Sequence, residues 1–486
     1  MYGTTKHLGL RTQHTLSINR NLHRSSVAQQ HRVGQTNERL LFSQLFQSIQ
    51  PHNTKPNYAL KRANHYDYTL IALNHISSHH TIIALPIDST LSATSNLINY
   101  SGDSSIDDTV ILSLLLASIN EWSIRLAVRL LYEYAHINQS SYKSYILSLP
   151  LKHFTSPIFF DASTVESLQY QPIIQQLNRL CKTVDQTAKY IQANPVYSKL
   201  FNSMTVSSDL LGWAVFTVSS RAFNLGVDND AYTMLPLIDM MNHSSTFQAN
   251  VEIKYNDTNK TVRAVSTSDI PSNTELTLNY GRVSNDILLL QYGFSIDNNP
   301  YDMITIKYSI DNLTTAAELA NIIQPFHKIS IDKLAILNES INTHNNSIQL
   351  THQFPTILFS SFKCLLSDDN EQSSSDLLSH YSQFDNPDTL SSIDRNVLLC
   401  LKSLLQLTAQ TFPTSIELDV EQLKAVLLHQ TKLIDQAKQQ GHQLHTNDFI
   451  AVTQVLRYRI AKKRLIHDQI DSISNMLTTK KPIMLN

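Results

Sequence analysis

Leu235-Pro236-Leu237-Ile238-Asp239-Met240-Met241-Asn242-His243-Ser244 is an apolar run closed by polar side chains able to bond a ligand. Upstream of it stands Ser219-Ser220-Arg221-Ala222-Phe223. Downstream come Leu278-Asn279-Tyr280-Gly281 and Gln291-Tyr292-Gly293-Phe294. Val251-Glu252-Ile253-Lys254-Tyr255 alternates as a half-buried strand does, and Thr261-Val262-Arg263-Ala264-Val265 reads as its return. Asn256, Asp257 and Asn259 between them supply the turn chemistry of a hairpin. Leu276-Thr277-Leu278-Asn279-Tyr280 is a further short strand ending at a glycine. Residues 219–294 therefore predict a small β-rich module that presents an Asn-His pair and a tyrosine at strand ends.

This ordered set, with Ser284-Asn285-Asp286-Ile287-Leu288-Leu289 and Asn298-Asn299-Pro300-Tyr301-Asp302 behind it, resembles the C-terminal half of a SET methyltransferase domain. The branch is the one typified by the Rubisco large-subunit methyltransferase. The resemblance implies an α+β architecture: a β-rich SET fold over 38–304 with a helical insert over about 106–205, then an all-helical substrate-binding domain over 305–486. It also implies S-adenosyl-L-methionine as cofactor. Asn242 and His243 then contact that cofactor, Asp239 belongs to the same loop, and Arg221 matches the family's arginine near the cofactor carboxylate. Tyr280 lines the methyl-transfer channel and orients the target amine, and Tyr292 and Phe294 wall the adenine or the channel. Taken alone, Arg221 also reads as a structural ion-pair partner, and Tyr292 and Phe294 as core aromatics.

The chain departs from the family at one place. SET domains usually carry Gly-x-Gly before an apolar-apolar-Ala strand, and this chain has Asp67-Tyr68-Thr69-Leu70-Ile71-Ala72. In Ile270-Pro271-Ser272-Asn273-Thr274-Glu275, Asn273 stands where the family usually has glycine, and asparagine tolerates the left-handed conformation.

Composition bounds the rest. The 486 residues suffice for two or three domains, with 42% hydrophobic and 16% charged residues. A net charge of −2 argues against a dedicated nucleic-acid binder. Cys181, Cys364 and Cys400 stand far apart, with neither zinc spacing nor a disulfide framework, so a reducing compartment and no metal are expected. No apolar run reaches the roughly 18 residues of a membrane span. Residues 1–37 hold Lys6, Arg11, Arg20, Arg24 and Arg32 and no acid. That composition suits a mitochondrial transit peptide and a disordered polar tail equally. An intracellular protein, mitochondrial or else cytoplasmic or nuclear, is expected.

Leu40–Phe46 has helical spacing, and Tyr68–Leu73 and Thr81–Pro86 read as the first SET strands. Trp213 lies on a helix that Ser207 or Ser208 can cap, and reads as core. Leu366–Arg395, rich in Ser and Asp, reads as a long loop. Leu418–Lys438 and Thr446–Leu477 read as amphipathic helices. The basic run Arg457-Tyr458-Arg459 with Lys462-Lys463 is either the end of the family's helical domain or a solvated face.

Methyl transfer from a sulfonium to an amine is an in-line displacement that needs alignment, exclusion of water and an uncharged nucleophile. No metal and no strong base are required. The expected activity is protein-lysine N-methylation of a non-histone protein, without nucleic-acid or membrane partners. Two other readings stay open: an inactive SET-fold protein that binds a protein partner, which the missing glycines motivate, and a protein-histidine methyltransferase.

Overall fold

The computed structural model describes residues 43, 45–47, 56–62, 68–93, 106–150, 155–226, 232–244, 248–325, 328–352, 355–367, 389–439 and 447–479. The tail over 1–37 and Asp67 lie outside these residues. They divide into two compact units, one of residues up to Ser163 and Leu177–Gly281, the other of Thr164–Gln176 and Arg282 onward.

In the first unit, β1 (Tyr58–Arg62) pairs antiparallel with β2 (Tyr68–Ala72). β3 (Thr81–Pro86) leads into the two-residue strand β4 (Leu91–Ser92). Farther along lie β5 (Ala222–Asn224), β6 (Tyr232–Met234), β7 (Asn242–His243), β8 (Val251–Asn256), β9 (Thr261–Ser266) and β10 (Thr277–Leu278). One sheet runs β3-β9-β8 and another β4-β6-β5, while β7 and β10 form a parallel pair. The middle of the first sheet is its buried part. Ile83 and Leu85 lie opposite Ala264 and Val262, and all four are fully buried. Burying each of the larger three contributes roughly 1.5–3 kcal/mol. The hairpin turn also forms as its residues dictate. Asn256 Oδ1 accepts from the backbone N–H of Thr258 and Asn259 at 3.0 and 3.2 Å. Asn273 takes φ 62°, the left-handed conformation expected of it.

The insert is helical: α1 (Ile106–Ala117), α2 (Trp122–Ala135), α3 (Lys143–Ser148), α4 (Ala162–Glu166), α5 (Gln171–Ala193) and α6 (Pro195–Lys199), then α7 (Ser208–Ser219). α7 is apolar around its whole circumference and buried from Leu210 to Ser219, which makes it a central helix rather than a surface one. Ser207 caps it, accepting from Leu210 N–H at 3.2 Å. Trp213 is core, its Nε1–H donated to Pro150 O at 2.9 Å. α7 ends at Ser219, two residues before Arg221.

In the second unit, α8 (Asn285–Ile287) continues into a π-turn over Leu288–Tyr292 that Gly293 ends at φ 76°. β11 (Ile304–Lys307) pairs antiparallel with β12 (Ser347–Leu350), so the C-terminal region is helical with one strand pair that the helical expectation omitted. The helices are α9 (Ile310–Leu319), α10 (Ile331–Thr343), α11 (Thr356–Leu366), α12 (Ser392–Gln410), α13 (Ile416–Gln439) and α14 (Asn447–Thr479). α12 begins inside the stretch read as a loop. Ser391 caps it through Asp394 N–H at 3.1 Å, and the middle of that stretch lies outside the described residues. Arg459, Lys462 and Lys463 on α14 are buried, not a solvated face. Lys462 donates to Asp302 Oδ1 at 2.6 Å, Met303 O at 2.7 Å and Asp286 at 2.9 Å. Arg459 and Lys463 both grip Asp419. No helix among the described residues is long and apolar enough to cross a membrane.

Candidate active site in the first unit

The parallel pairing of β7 with β10 brings two distant motifs into one patch. Thr277 lies beside Asn242 and Leu278 beside His243, and Ser244 N–H donates to Leu278 O at 2.8 Å. Tyr280 follows β10 and is fixed at both ends. Its backbone N–H donates to His243 Nδ1 at 3.1 Å, and its hydroxyl donates to Met241 O at 2.8 Å. The His243 and Tyr280 rings lie 5.1 Å apart, and Phe223 meets Tyr280 edge-on at 6.5 Å. Gly281, next in sequence, has φ 109°, which a side chain rarely adopts.

The bond from Tyr280 N–H makes Nδ1 of His243 an acceptor, so the neutral ring carries its proton on Nε2. Burial pushes the His243 pKa below its ordinary value. Both effects keep the imidazole neutral.

Asp239 sits on the 3₁₀ turn Ile238–Met240, buried, two residues before the carbonyl that receives the Tyr280 hydroxyl. Leu237 ahead of it has φ 70° and ψ −46°, a strained conformation for a branched residue. Arg221 Nη1 donates to Asp239 O at 3.1 Å and lies 3.8 Å from Oδ2. Tyr145, from α3, donates its hydroxyl to Oδ2. Oδ1 is buried and accepts no hydrogen bond among the described residues. Burial raises the Asp239 pKa to about 6, against the opposing pull of Arg221 and the bond from Tyr145. Asp239 thus gathers Arg221 and Tyr145, and Arg221 lies within ion-pair distance of it.

Asn242 donates Nδ2–H to Glu275 Oε1 at 2.8 Å, which leaves Oδ1 to accept. The same Oε1 accepts the Thr69 hydroxyl at 2.6 Å. Thr69 occupies one of the two positions where glycine was expected, and its side chain is directed into the protein. A cleft of about 290 Å³ opens beside this patch. Phe223 and Asn224 of edge strand β5 line one part of it, Ile253 and Tyr255 of edge strand β8 another, with Leu278 and Asn279 next to Tyr280.

Five predicted site residues, Arg221, Asp239, Asn242, His243 and Tyr280, therefore gather in the first unit. Tyr292 and Phe294 belong to the second, half-buried, with rings 6.2 Å apart at the end of the π-turn. Sequence reasoning missed roles for Tyr145, Thr69 and Glu275. Thr69 carried a signal, a side chain at a glycine position. Tyr145 carried none, standing 94 residues from its partner.

Residues 67–281 match the SET domain family. The chain carries a SET domain over these residues. Over 195 residues it is 29% identical to an actin-histidine N-methyltransferase of Xenopus tropicalis, a match covering 39% of this chain and 33% of that protein. Over 179 residues it is 30% identical to a ribosomal lysine N-methyltransferase of Schizosaccharomyces pombe, covering 35% and 31%. The matched stretch is thus about a third of the length of these relatives. Among solved structures, the SET domain of LSMT bound to lysine and AdoHcy superposes with a TM-score of 0.61 at 15% identity, over 91% of this chain and 93% of that one. Rubisco LSMT bound to AdoMet gives 0.60 at 16%, over 91% and 93%. At such identities the likeness establishes the fold alone.

Proposed function

We propose that this chain is an S-adenosylmethionine-dependent protein N-methyltransferase acting on a lysine of a non-histone protein. The observation that carries the reading is the double anchoring of Tyr280, by its N–H on His243 and its hydroxyl on Met241 O. With its proton given to that carbonyl, the Tyr280 oxygen faces an incoming amine as an acceptor and not as a donor, the role that orients the amine N–H.

The residues suit the cofactor. S-adenosylmethionine, when bound, supplies an electrophilic methyl on a sulfonium. A cation is better placed beside a neutral His243 than beside an imidazolium, and burial favours the neutral ring. Asn242 Oδ1 and the buried Asp239 Oδ1 are acceptors, the polarity that an ammonium or amine group requires. The bulk of Thr69 is directed at Glu275. Arg221 and Asn242 belong to the cofactor side of the site in this reading. The β5–β8 cleft offers two strand edges to an extended substrate segment.

A histidine acceptor is the second reading, and the similarity to actin-histidine N-methyltransferases favours it. Incubating the purified chain and its Tyr280→Phe variant with labelled S-adenosylmethionine and an extract of matching cells tests both. Tyr280-dependent label on lysine supports the first reading, and label on histidine supports the second. A folded chain that neither binds cofactor nor labels protein leaves the partner-binding, inactive SET fold.

A further inference from the structure

We propose that Thr69 is a positioning residue of the cofactor site, acting on Asn242 through the carboxylate of Glu275; this rests on the cofactor reading above. The inference comes from a shared acceptor. Glu275 Oε1 receives the Thr69 hydroxyl at 2.6 Å and Asn242 Nδ2–H at 2.8 Å. Thr69 lies on β2 and Asn242 on β7, so the carboxylate ties two separate strand pairs together.

The backbone of Glu275 is fixed independently of its side chain. Glu275 bridges to Ile71, and Leu276 N–H donates to Leu70 O at 2.8 Å. Asn250 Nδ2–H donates to Glu275 O at 2.8 Å, while Asn250 Oδ1 accepts Thr277 N–H at 2.9 Å. On this frame the orientation of the carboxylate is set by its two donors. Remove the Thr69 hydroxyl, as a glycine there would, and Asn242 is the one side chain still donating to it among the described residues. With both in place, Glu275 is anchored on the buried Thr69 side and in turn pins the Asn242 amide with Nδ2 on the carboxylate, leaving Oδ1 on the opposite side of the amide. Thr69 is only 5% exposed, so the donor end of this part-buried hydrogen bond is shielded from competing water. The side chain that replaces a family glycine thus stiffens the neighbouring asparagine.

The test is calorimetric titration of the full chain with S-adenosylmethionine and with S-adenosylhomocysteine. Thr69→Val, which keeps the shape and removes the donor, is expected to weaken both by about five- to tenfold, the worth of one hydrogen bond to a charged group less the slack of an indirect effect. Thr69→Ser should bind within about twofold of wild type, and Glu275→Gln should shift in the same direction as Thr69→Val. In an Asn242→Ala background, Thr69→Val should add less than about twofold, because the side chain it positions is gone. Melts without ligand confirm that each variant is folded at the titration temperature. Unchanged binding by Thr69→Val, or an equal loss with and without Asn242, overturns the proposal and leaves Thr69 as a fold contact alone. A folded wild-type chain that binds neither ligand overturns the cofactor reading and this proposal together.

Discussion

Lys462 in the second unit and Arg221 in the first are both largely buried cations beside aspartates, and they are held in opposite ways. Lys462 places its three donors on three acceptors, Asp302, Met303 O and Asp286, all within 2.9 Å. Arg221 touches a carbonyl at 3.1 Å and stands 3.8 Å from the Asp239 carboxylate, whose other oxygen accepts nothing among the described residues. One cluster is complete without a ligand. The other retains a buried acceptor, Asp239 Oδ1, that receives no hydrogen bond among the described residues. Buried polar groups that are fully satisfied specify structure, and those that are not point to a partner still to come.

The largest test of this contrast is Lys462→Met. It leaves two buried carboxylates facing no cation and is expected to cost about 3–5 kcal/mol in urea unfolding. A cost under about 1 kcal/mol would break the comparison from the structural side. Tyr280→Phe tests the other side. Single-turnover methyl transfer is expected to fall roughly 100-fold through misplacement of the acceptor, with cofactor affinity little changed and the melting temperature near wild type. A loss of fold in place of rate would make Tyr280 structural as well.

Asp239 supplies a pH test. Its folded pKa is raised to about 6 from 3.8, so its favourable contribution is complete below 3.8 and is lost as pH rises through about 6. Asp239→Asn cannot ionise. Its stability relative to wild type should rise by about 2–3 kcal/mol between pH 4 and pH 7, as read by paired urea melts. A flat difference would mean that Arg221 and Tyr145 compensate the charge in full. The smallest effect expected is that of Ser207→Ala, which removes the cap of α7. A loss of about 1 kcal/mol in stability, with unchanged transfer at a permissive temperature, separates the scaffold of Arg221 from the chemistry beside it.

What was legible in the sequence was local. β8 announced itself by alternation, β9 as its return strand, β3 by its apolar run, the hairpin by Asn256, the α7 cap by Ser207, and the left-handed turn by Asn273. The gathering of Asn242, His243 and Tyr280 was legible only through the family pattern, because a parallel pair of two-residue strands has no periodicity to read. Distance in the chain hid the rest. Tyr145 meets Asp239 across 94 residues, and Thr69 meets Glu275 across 206. The basic run of α14 allowed a solvated face because nothing near it in sequence reveals Asp286, Asp302 or Asp419. β11 and β12 were absorbed into a helical reading for the same reason, since each is short and its partner lies about forty residues away.

The membership of Thr164–Gln176 in the second unit has a consequence for synthesis. Tyr170 gives its oxygen to Thr305 N–H and stacks with Phe412, Gln169 accepts from Thr414, and Ser167 O receives Arg459. These partners are translated 135 to 292 residues later. Emerging from the ribosome, this segment must therefore wait, its tyrosine and backbone groups exposed, until almost the whole chain has followed. A truncation at Gly281 would make that waiting state permanent, so an isolated SET fragment should be prone to association where the intact chain is not.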